Sequence, residues 1–257
     1  MLTESGNVLK EQISNTVFLR MFILAALAVT WLRPGDVCGQ ELPAVNDTLR
    51  TPDPDNPAIV HLEIRNAKDA MVANGFMFNG RKTGVWRTWA PYGSLMFLEE
   101  YHGDVLHGIR YGYNIGGCIE LEEIYRNGVL HGPRNKFHYG IQKSLEEHYV
   151  NGRLEGLRTV YYDTGSRQEA GVYRDGKKDG VVKWFNQAGL LTIEYTYSMG
   201  VLNGPAKTFS GKGKLQTEGM FKDNNEEGEW KEYDEGGRLV KTRTYDSGNL
   251  IQEQQAK

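Results

Sequence analysis

Residues 173–196, YRDGKKDGVVKWFNQAGLLTIEYT, contain the pattern that decides the fold of this chain. Residues 181–185 are a short run of β-prone side chains, residues 186–189 have turn composition, and residues 190–197 form a second β-prone run. In the second run Leu191, Ile193 and Tyr195 alternate with polar residues, the period-two pattern of a strand covered on one face. The stretch therefore predicts one β-hairpin.

The same stretch is one copy of a 24-residue repeat. One column of the repeat is glycine in every copy, at Gly84, Gly108, Gly132, Gly156, Gly180, Gly204 and Gly228. Two further columns are aromatic: Trp89, Tyr113, Phe137, Tyr161, Phe185, Phe209 and Tyr233 in one, and Tyr101, Tyr125, Tyr149, Tyr173, Tyr197, Phe221 and Tyr245 in the other. A fixed period in this range indicates a repeat architecture.

The links between hairpins, which include the glycine column, span about six residues and are too short for the crossover that parallel strands need. We therefore predict an all-β fold, an elongated single-layer antiparallel meander of about seven hairpins. We expect the two aromatic columns to fill one face of this sheet.

The N-terminal region has the layout of an export signal. The apolar run Met21–Leu32 follows the basic residues Lys10 and Arg20 and is shorter than a membrane span. Small residues at Val37-Cys38-Gly39 fit cleavage before Gln40. We predict a signal peptide at residues 1–39 and an exported protein of the periplasm, cell envelope or exterior. An uncleaved run that anchors the chain, and synthesis from Met21, stay open as alternatives.

The rest of the chain divides by composition. Residues 40–58 carry four prolines and no aromatic residue, so we predict a disordered linker. Residues 59–76 predict one N-terminal capping strand, residues 77–250 the repeat array, and residues 251–257 a C-terminal tail.

The composition points away from several function classes. The net charge is −3 and the basic residues are scattered, so nucleic acid is not an expected partner. The two cysteines, Cys38 and Cys118, lack the spacing of a zinc or redox motif. No catalytic or phosphate-binding motif occurs, so we predict no enzyme activity, cofactor or metal site.

Three sets of side chains deserve separate interpretation. A polar column, His107, His131, Glu155, Asp179, Asn203 and Glu227, would place its members too far apart for one metal ion, so we expect solvated turn residues. The adjacent pairs Glu99-Glu100, Glu122-Glu123 and Glu146-Glu147 should point to opposite faces and serve as solvent-facing charges. Trp86, Trp89, Trp184 and Trp230 are the candidate binding surface, although Trp86 and Trp230 also match positions that would cap the array.

The motif Tyr-x-x-Gly-x-Leu-x-Gly, which occurs at residues 125–132, 149–156 and 197–204, resembles the variant MORN repeat of bacterial proteins. The resemblance implies antiparallel hairpins without catalytic residues and, through the YwqK-type antitoxins, neutralisation of a toxin by binding. We expect an exported, non-catalytic scaffold in the cell envelope that binds an unidentified protein and touches the membrane only through an uncleaved signal segment. An immunity or antitoxin protein and a glycan-binding module are the alternatives.

Overall fold

The computed structural model describes residues 45–256, and this part of the chain is built from strands joined by turns. The nineteen strands are β1 (Val45–Pro52), β2 (Ile59–Asn66), β3 (Met71–Phe78), β4 (Arg81–Trp89), β5 (Leu95–His102), β6 (Val105–Tyr113), β7 (Ile119–Arg126), β8 (Val129–His138), β9 (Gln142–Val150), β10 (Arg153–Leu154), β11 (Gly156–Tyr161), β12 (Arg167–Arg174), β13 (Lys177–Phe185), β14 (Leu191–Ser198), β15 (Val201–Phe209), β16 (Leu215–Lys222), β17 (Asn225–Tyr233), β18 (Leu239–Asp246) and β19 (Asn249–Gln255). Within residues 45–256 no residue is helical, which confirms the predicted all-β fold.

The strands form one open sheet in which chain neighbours pair antiparallel. β10 and β11 are two segments of one strand interrupted at Glu155, and both pair with β9. Seven hairpins match the seven copies of the repeat: β4–β5, β6–β7, β8–β9, β10/β11–β12, β13–β14, β15–β16 and β17–β18. The predicted single-layer antiparallel meander of hairpins is confirmed.

Successive hairpins are joined by tight two-residue turns. Both turn residues have positive φ, as at Asn127 (51°) and Gly128 (77°) between β7 and β8. This is the backbone of a type I′ turn, whose twist matches that of the flanking strands. The expected six-residue links are therefore wrong, because the strands extend to within two residues of each other.

The glycine column lies inside strands. Gly108 has a φ of 116° within β6, where Glu99 pairs with Arg110 but Tyr101 pairs with Leu106. Residues 107–109 thus oppose the single residue Glu100, which makes a β-bulge. A side chain is strained at this φ, so the repeat needs glycine for the bulge and not for a turn.

The ends of the described region differ from expectation. Residues 45–52, inside the expected disordered linker, form β1, which pairs with β2 from Asp47 to Pro52. Backbone hydrogen bonding to β2 orders this segment despite its poor apolar content, and Pro52 ends the strand. Two strands, β2 and β3, occupy the region expected to hold one, and β19 covers most of the expected tail.

Residues 1–39, the predicted signal peptide, lie outside the described residues. Among residues 45–256 no helix is long and apolar enough to cross a membrane.

The sheet has two unlike faces. We name the face that carries the buried side chains Trp86, Val182 and Ala206 the inner face, and the opposite one the outer face. The Tyr149 hydroxyl donates to Glu147 at 3.1 Å, whereas the Tyr161 hydroxyl donates to Glu146. Consecutive strand residues point to opposite faces, so the two aromatic columns lie on opposite faces. The expectation that both columns fill one face is wrong.

Candidate binding surface

A row of alternating glutamate and arginine side chains crosses the inner face from β5 to β12. Arg134 bridges its two neighbours, because Nε donates to Glu123 Oε1 at 2.9 Å and Nη1 donates to Glu147 Oε2 at 2.9 Å. Arg110 joins Glu99 to Glu123 in the same way, and Arg158 joins Glu147 to Glu169. We name the seven residues the inner ladder: Glu99, Arg110, Glu123, Arg134, Glu147, Arg158 and Glu169.

Tyrosines of the inner aromatic column complete the coordination of the ladder. Tyr125 Oη donates to Glu123 Oε2 at 3.1 Å, and Tyr101 and Tyr149 make the equivalent bonds to Glu99 and Glu147. The repeated tyrosine is therefore both a packing residue and a hydrogen-bond donor to a buried carboxylate.

The charged groups of the ladder stabilise one another and shift the pKa values of Glu123 and of the neighbouring Tyr173. Burial alone would raise the pKa of Glu123, but the hydrogen bonds and charges of Arg134 and Arg110 outweigh it and lower that pKa. Burial, followed by the charge of Glu169, raises the pKa of Tyr173 to about 12. These shifts move both groups away from neutral pH, so neither is tuned to exchange protons near pH 7. The geometry makes the ladder a means of holding hairpins together.

The adjacent glutamates behave only partly as predicted. Their opposite directions are confirmed, since Glu123 binds arginines on the inner face and Glu122 accepts a bond from Asn135 Nδ2 at 2.8 Å on the outer face. The predicted solvent-facing role is wrong for Glu99, Glu123 and Glu147, because the arginines and tyrosines around them cover their carboxylates. The 24-residue spacing of three arginines was the sequence signal that the interpretation missed.

Where the ladder stops, glycines replace the glutamates and large apolar side chains replace the arginines. A Cβ at Gly75 would lie 2.4 Å from the Trp86 ring, and one at Gly219 would lie 2.2 Å from the Trp230 ring. At Gly171 it would lie 2.8 Å from Val182. Each large side chain thus occupies the space that a glutamate fills inside the ladder.

These contacts change the interpretation of the four tryptophans. Trp86 is only 3% exposed and donates from Nε1 to the carbonyl of Phe76 at 2.9 Å, so it is a packing residue. Trp184 donates to Glu169 at 2.8 Å, and Trp230 stacks edge-on against Phe221 at 5.1 Å between ring centres. Trp89, in the outer aromatic column, is the one member of this set on the outer face.

The polar column of the repeat receives hydrogen bonds from the neighbouring turn. The backbone N–H of Asp175 donates to Glu155 Oε1 at 2.8 Å, and that of Ser247 donates to Glu227 Oε2 at 2.8 Å. His107, His131 and Asp179 receive the equivalent bonds from Asn127, Asn151 and Met199. Five of the six side chains, all except Asn203, therefore fix the type I′ turn that follows them by 20 residues.

The outer face exposes a line of apolar side chains beside the bulges. Leu157 is 61% exposed and pairs with Val172, which is 45% exposed, and Val181 continues the line on the next strand. Ile109 and Ile124 form the corresponding pair on β6 and β7. We name the outer-face stripe as Ile109, Ile124, Pro133, Leu157, Val172 and Val181 on β6 to β13. His148, which pairs with Pro133 on β9, interrupts the stripe between Pro133 and Leu157. Exposed apolar side chains grouped in this way mark interaction sites in soluble proteins.

Comparison with known proteins supports the repeat. Residues 226–247 match the family described as MORN repeat variant, which supports a MORN-repeat protein. The resemblance to YwqK-type antitoxins stays a prediction. No curated protein matches the chain.

Among solved structures, a Photorhabdus luminescens Tc holotoxin pore with a mutation in its TccC3 component is similar to this chain at 12% identity and a TM-score of 0.26. The alignment covers 77% of this chain and 13% of that chain. At this TM-score the likeness carries no argument about function.

Proposed function

We propose that this MORN-repeat protein is a non-catalytic, exported scaffold that binds a partner protein through the outer-face stripe. The observation that carries the proposal is the exposure of Leu157 and Val172 side by side on a sheet whose inner face is closed by the ladder. The function follows from this difference between the two faces.

A protein suits this surface better than a small molecule does. The stripe is a line of side chains on a flat sheet, whereas small-molecule sites are concave and enclose their ligand. Burying one such aliphatic side chain contributes about 1.5–3 kcal/mol, so several are needed for a specific complex. A partner that covers neighbouring strands can reach them together.

The inner ladder supports the scaffold role by limiting deformation. Each arginine holds the strand before it and the strand after it, so the ladder ties four hairpins together on the face opposite the stripe. A surface whose geometry is fixed before binding loses less conformational entropy when the partner arrives.

Export is supported by sequence alone. The apolar run Met21–Leu32 follows basic residues, and small side chains precede Gln40. Expression in a bacterial host followed by N-terminal sequencing of the envelope fraction tests this part. A chain that begins at Gln40 is the expected result, and full-length protein found only in the cytosol would reject export.

The binding surface is tested by chemical crosslinking in envelope extract, with partners of the wild-type chain identified by mass spectrometry. Leu157→Asp and Val172→Asp should each weaken recovery of the partner about tenfold or more, because a charge then replaces an apolar contact. Ile141→Asp is the control, since Ile141 is 91% exposed but lies at a hairpin tip away from the stripe. Loss of the partner only with Ile141→Asp would move the site to the tips and reject the stripe.

A further inference from the structure

The C-terminal half of the outer face carries a row of lysine and glutamate whose sign alternates from strand to strand. The row consists of Lys183, Glu194, Lys207, Glu218 and Lys231 on β13 to β17, each opposite the next in the register. Lys183 lies 3.2 Å from Glu194, whereas Lys207 lies 3.8 Å from Glu218 and both of these side chains are partly exposed. We call Lys207 and Glu218 the central pair. Glu218 also accepts a hydrogen bond from the Tyr233 hydroxyl at 2.7 Å, but its contact with Lys207 is long and both side chains reach solvent.

An apolar pair lies beside the centre of this row. Pro205 pairs with Met220, which is 49% exposed, and both line a groove of about 380 Å³ together with Lys207, Glu218 and Glu229. The groove thus offers apolar side chains for contact and charges of both signs around them.

The alternation makes this region complementary to itself. Consider a second copy placed face to face and turned about a twofold axis that runs along the strands, between β15 and β16. The axis brings Lys207 of each copy over Glu218 of the other, and Pro205 of each over Met220 of the other. A twofold axis along the row would instead put Lys207 over Lys207, which the charges disfavour.

We propose that the chain forms a homodimer through the outer face of β13 to β18, with this axis. A single-layer sheet with exposed apolar residues gains by packing on a second layer at a distance of about 10 Å, which lysine and glutamate side chains can span. Strands β13 to β18, at a spacing of about 4.8 Å and a length of about 30 Å, offer about 850 Å² per copy, close to the area of a standard interface. Most of the outer-face stripe, on β6 to β12, stays free for another protein.

Charge exchange at the central pair tests the dimer. In the full chain, Lys207→Glu puts two like charges at each reciprocal contact, and Glu218→Lys does the same with the opposite sign. Each single variant should dimerise about tenfold or more weakly than wild type in sedimentation velocity. Mixing the two variants should restore a dimer of wild-type affinity, because each contact then joins opposite charges.

The mixing result distinguishes the interface from a fault within one chain, since mixing cannot repair the Lys207–Glu218 pair inside a subunit. The double variant Lys207→Glu with Glu218→Lys repairs both and should dimerise as wild type does, which covers the case of a single variant that fails to fold. Lys212→Glu, at an exposed hairpin tip, is the matched control and should leave the dimer unchanged.

A wild-type chain that stays monomeric at high concentration would overturn the proposal, as would single variants that dimerise normally or a mixture that stays monomeric. Recovery of the partner protein is a separate measurement. If the wild-type chain is monomeric and Leu157→Asp still loses the partner, only the dimer proposal is rejected.

Discussion

Glu123→Gln tests whether the inner ladder holds the hairpins together. Glu123 is buried and accepts hydrogen bonds from Arg110, Arg134 and Tyr125. The glutamine keeps the shape of the side chain but removes the anion that two guanidinium groups share, and its amide N–H₂ faces hydrogen-bond donors. Removing one partner of a buried ion pair costs about 3–5 kcal/mol, and we expect about 3 kcal/mol because both arginines keep a second carboxylate.

The assay is urea unfolding at pH 7, with Glu122→Gln as the control. Glu122 is the adjacent residue on the outer face and accepts a bond from Asn135 without an ion pair, so its substitution should cost about 1 kcal/mol or less. A cost of Glu123→Gln equal to that of the control would refute the structural role of the ladder.

The pH dependence gives a second check on the same variant. The pKa of Glu123 in the folded protein lies below its unfolded value, so its contribution is complete above that value, about 4.3, and is lost as the pH falls through the folded pKa. The difference in unfolding free energy between wild type and Glu123→Gln should thus be constant from pH 7 to about pH 5 and shrink on further acidification. A difference that grows below pH 4 would contradict the reasoning.

Three further substitutions test individual contacts. Gly219→Ala should cost about 1–3 kcal/mol in thermal unfolding because the new Cβ would meet the Trp230 ring, whereas Gly211→Ala, with open space around it, should cost less than about 1 kcal/mol. Met199→Gly should stabilise the chain by about 1 kcal/mol, since Met199 has a φ of 47° in its type I′ turn; an unchanged or lower melting temperature would contradict this. Burial raises the pKa of Glu226 above its unfolded value, so its charged form destabilises the fold at pH 7 and the penalty fades as the pH falls through that pKa. Glu226→Leu should therefore raise stability at pH 7 and do so less at pH 4, as followed by urea unfolding at both values.

The sequence was sufficient for the repeat and its hairpins because both depend on local chemistry. Gly128 and Asn127 prefer the positive φ of a type I′ turn, and alternation along Leu191, Ile193 and Tyr195 depends only on neighbours in the chain. These features recur with the period and could be predicted without knowing which strands pair.

The inner ladder was missed because it depends on register. Arg134 meets Glu123 and Glu147 only when the bulge at Gly132 sets the offset between β7 and β8, and neither residue is next to it in the sequence. The bulge could not be predicted from the glycine column, because glycine is equally common in turns. The same uncertainty in register led to both aromatic columns being placed on one face.

The candidate surface was also predicted only in part. The tryptophans were predicted to form the binding surface because they are large and rare, yet Trp86 packs over Gly75 in the sheet. Leu157 and Val172 gave no comparable signal, because the sequence does not distinguish an aliphatic strand residue that is exposed from one that is buried. Their exposure follows from the absence, among the described residues, of a second layer over the outer face.

At the ends of the ladder, glycine replaces glutamate and a large side chain replaces arginine. This change has a genetic consequence. Excision of residues 123–146 would leave Arg110 beside Glu147 and rejoin the ladder without a mismatch, whereas excision of residues 171–194 would leave Arg158 facing Tyr195. Unequal recombination can therefore shorten or lengthen the array freely within the ion-paired hairpins but not across their boundary. Length variants of this protein in nature should differ by whole copies drawn from that central block.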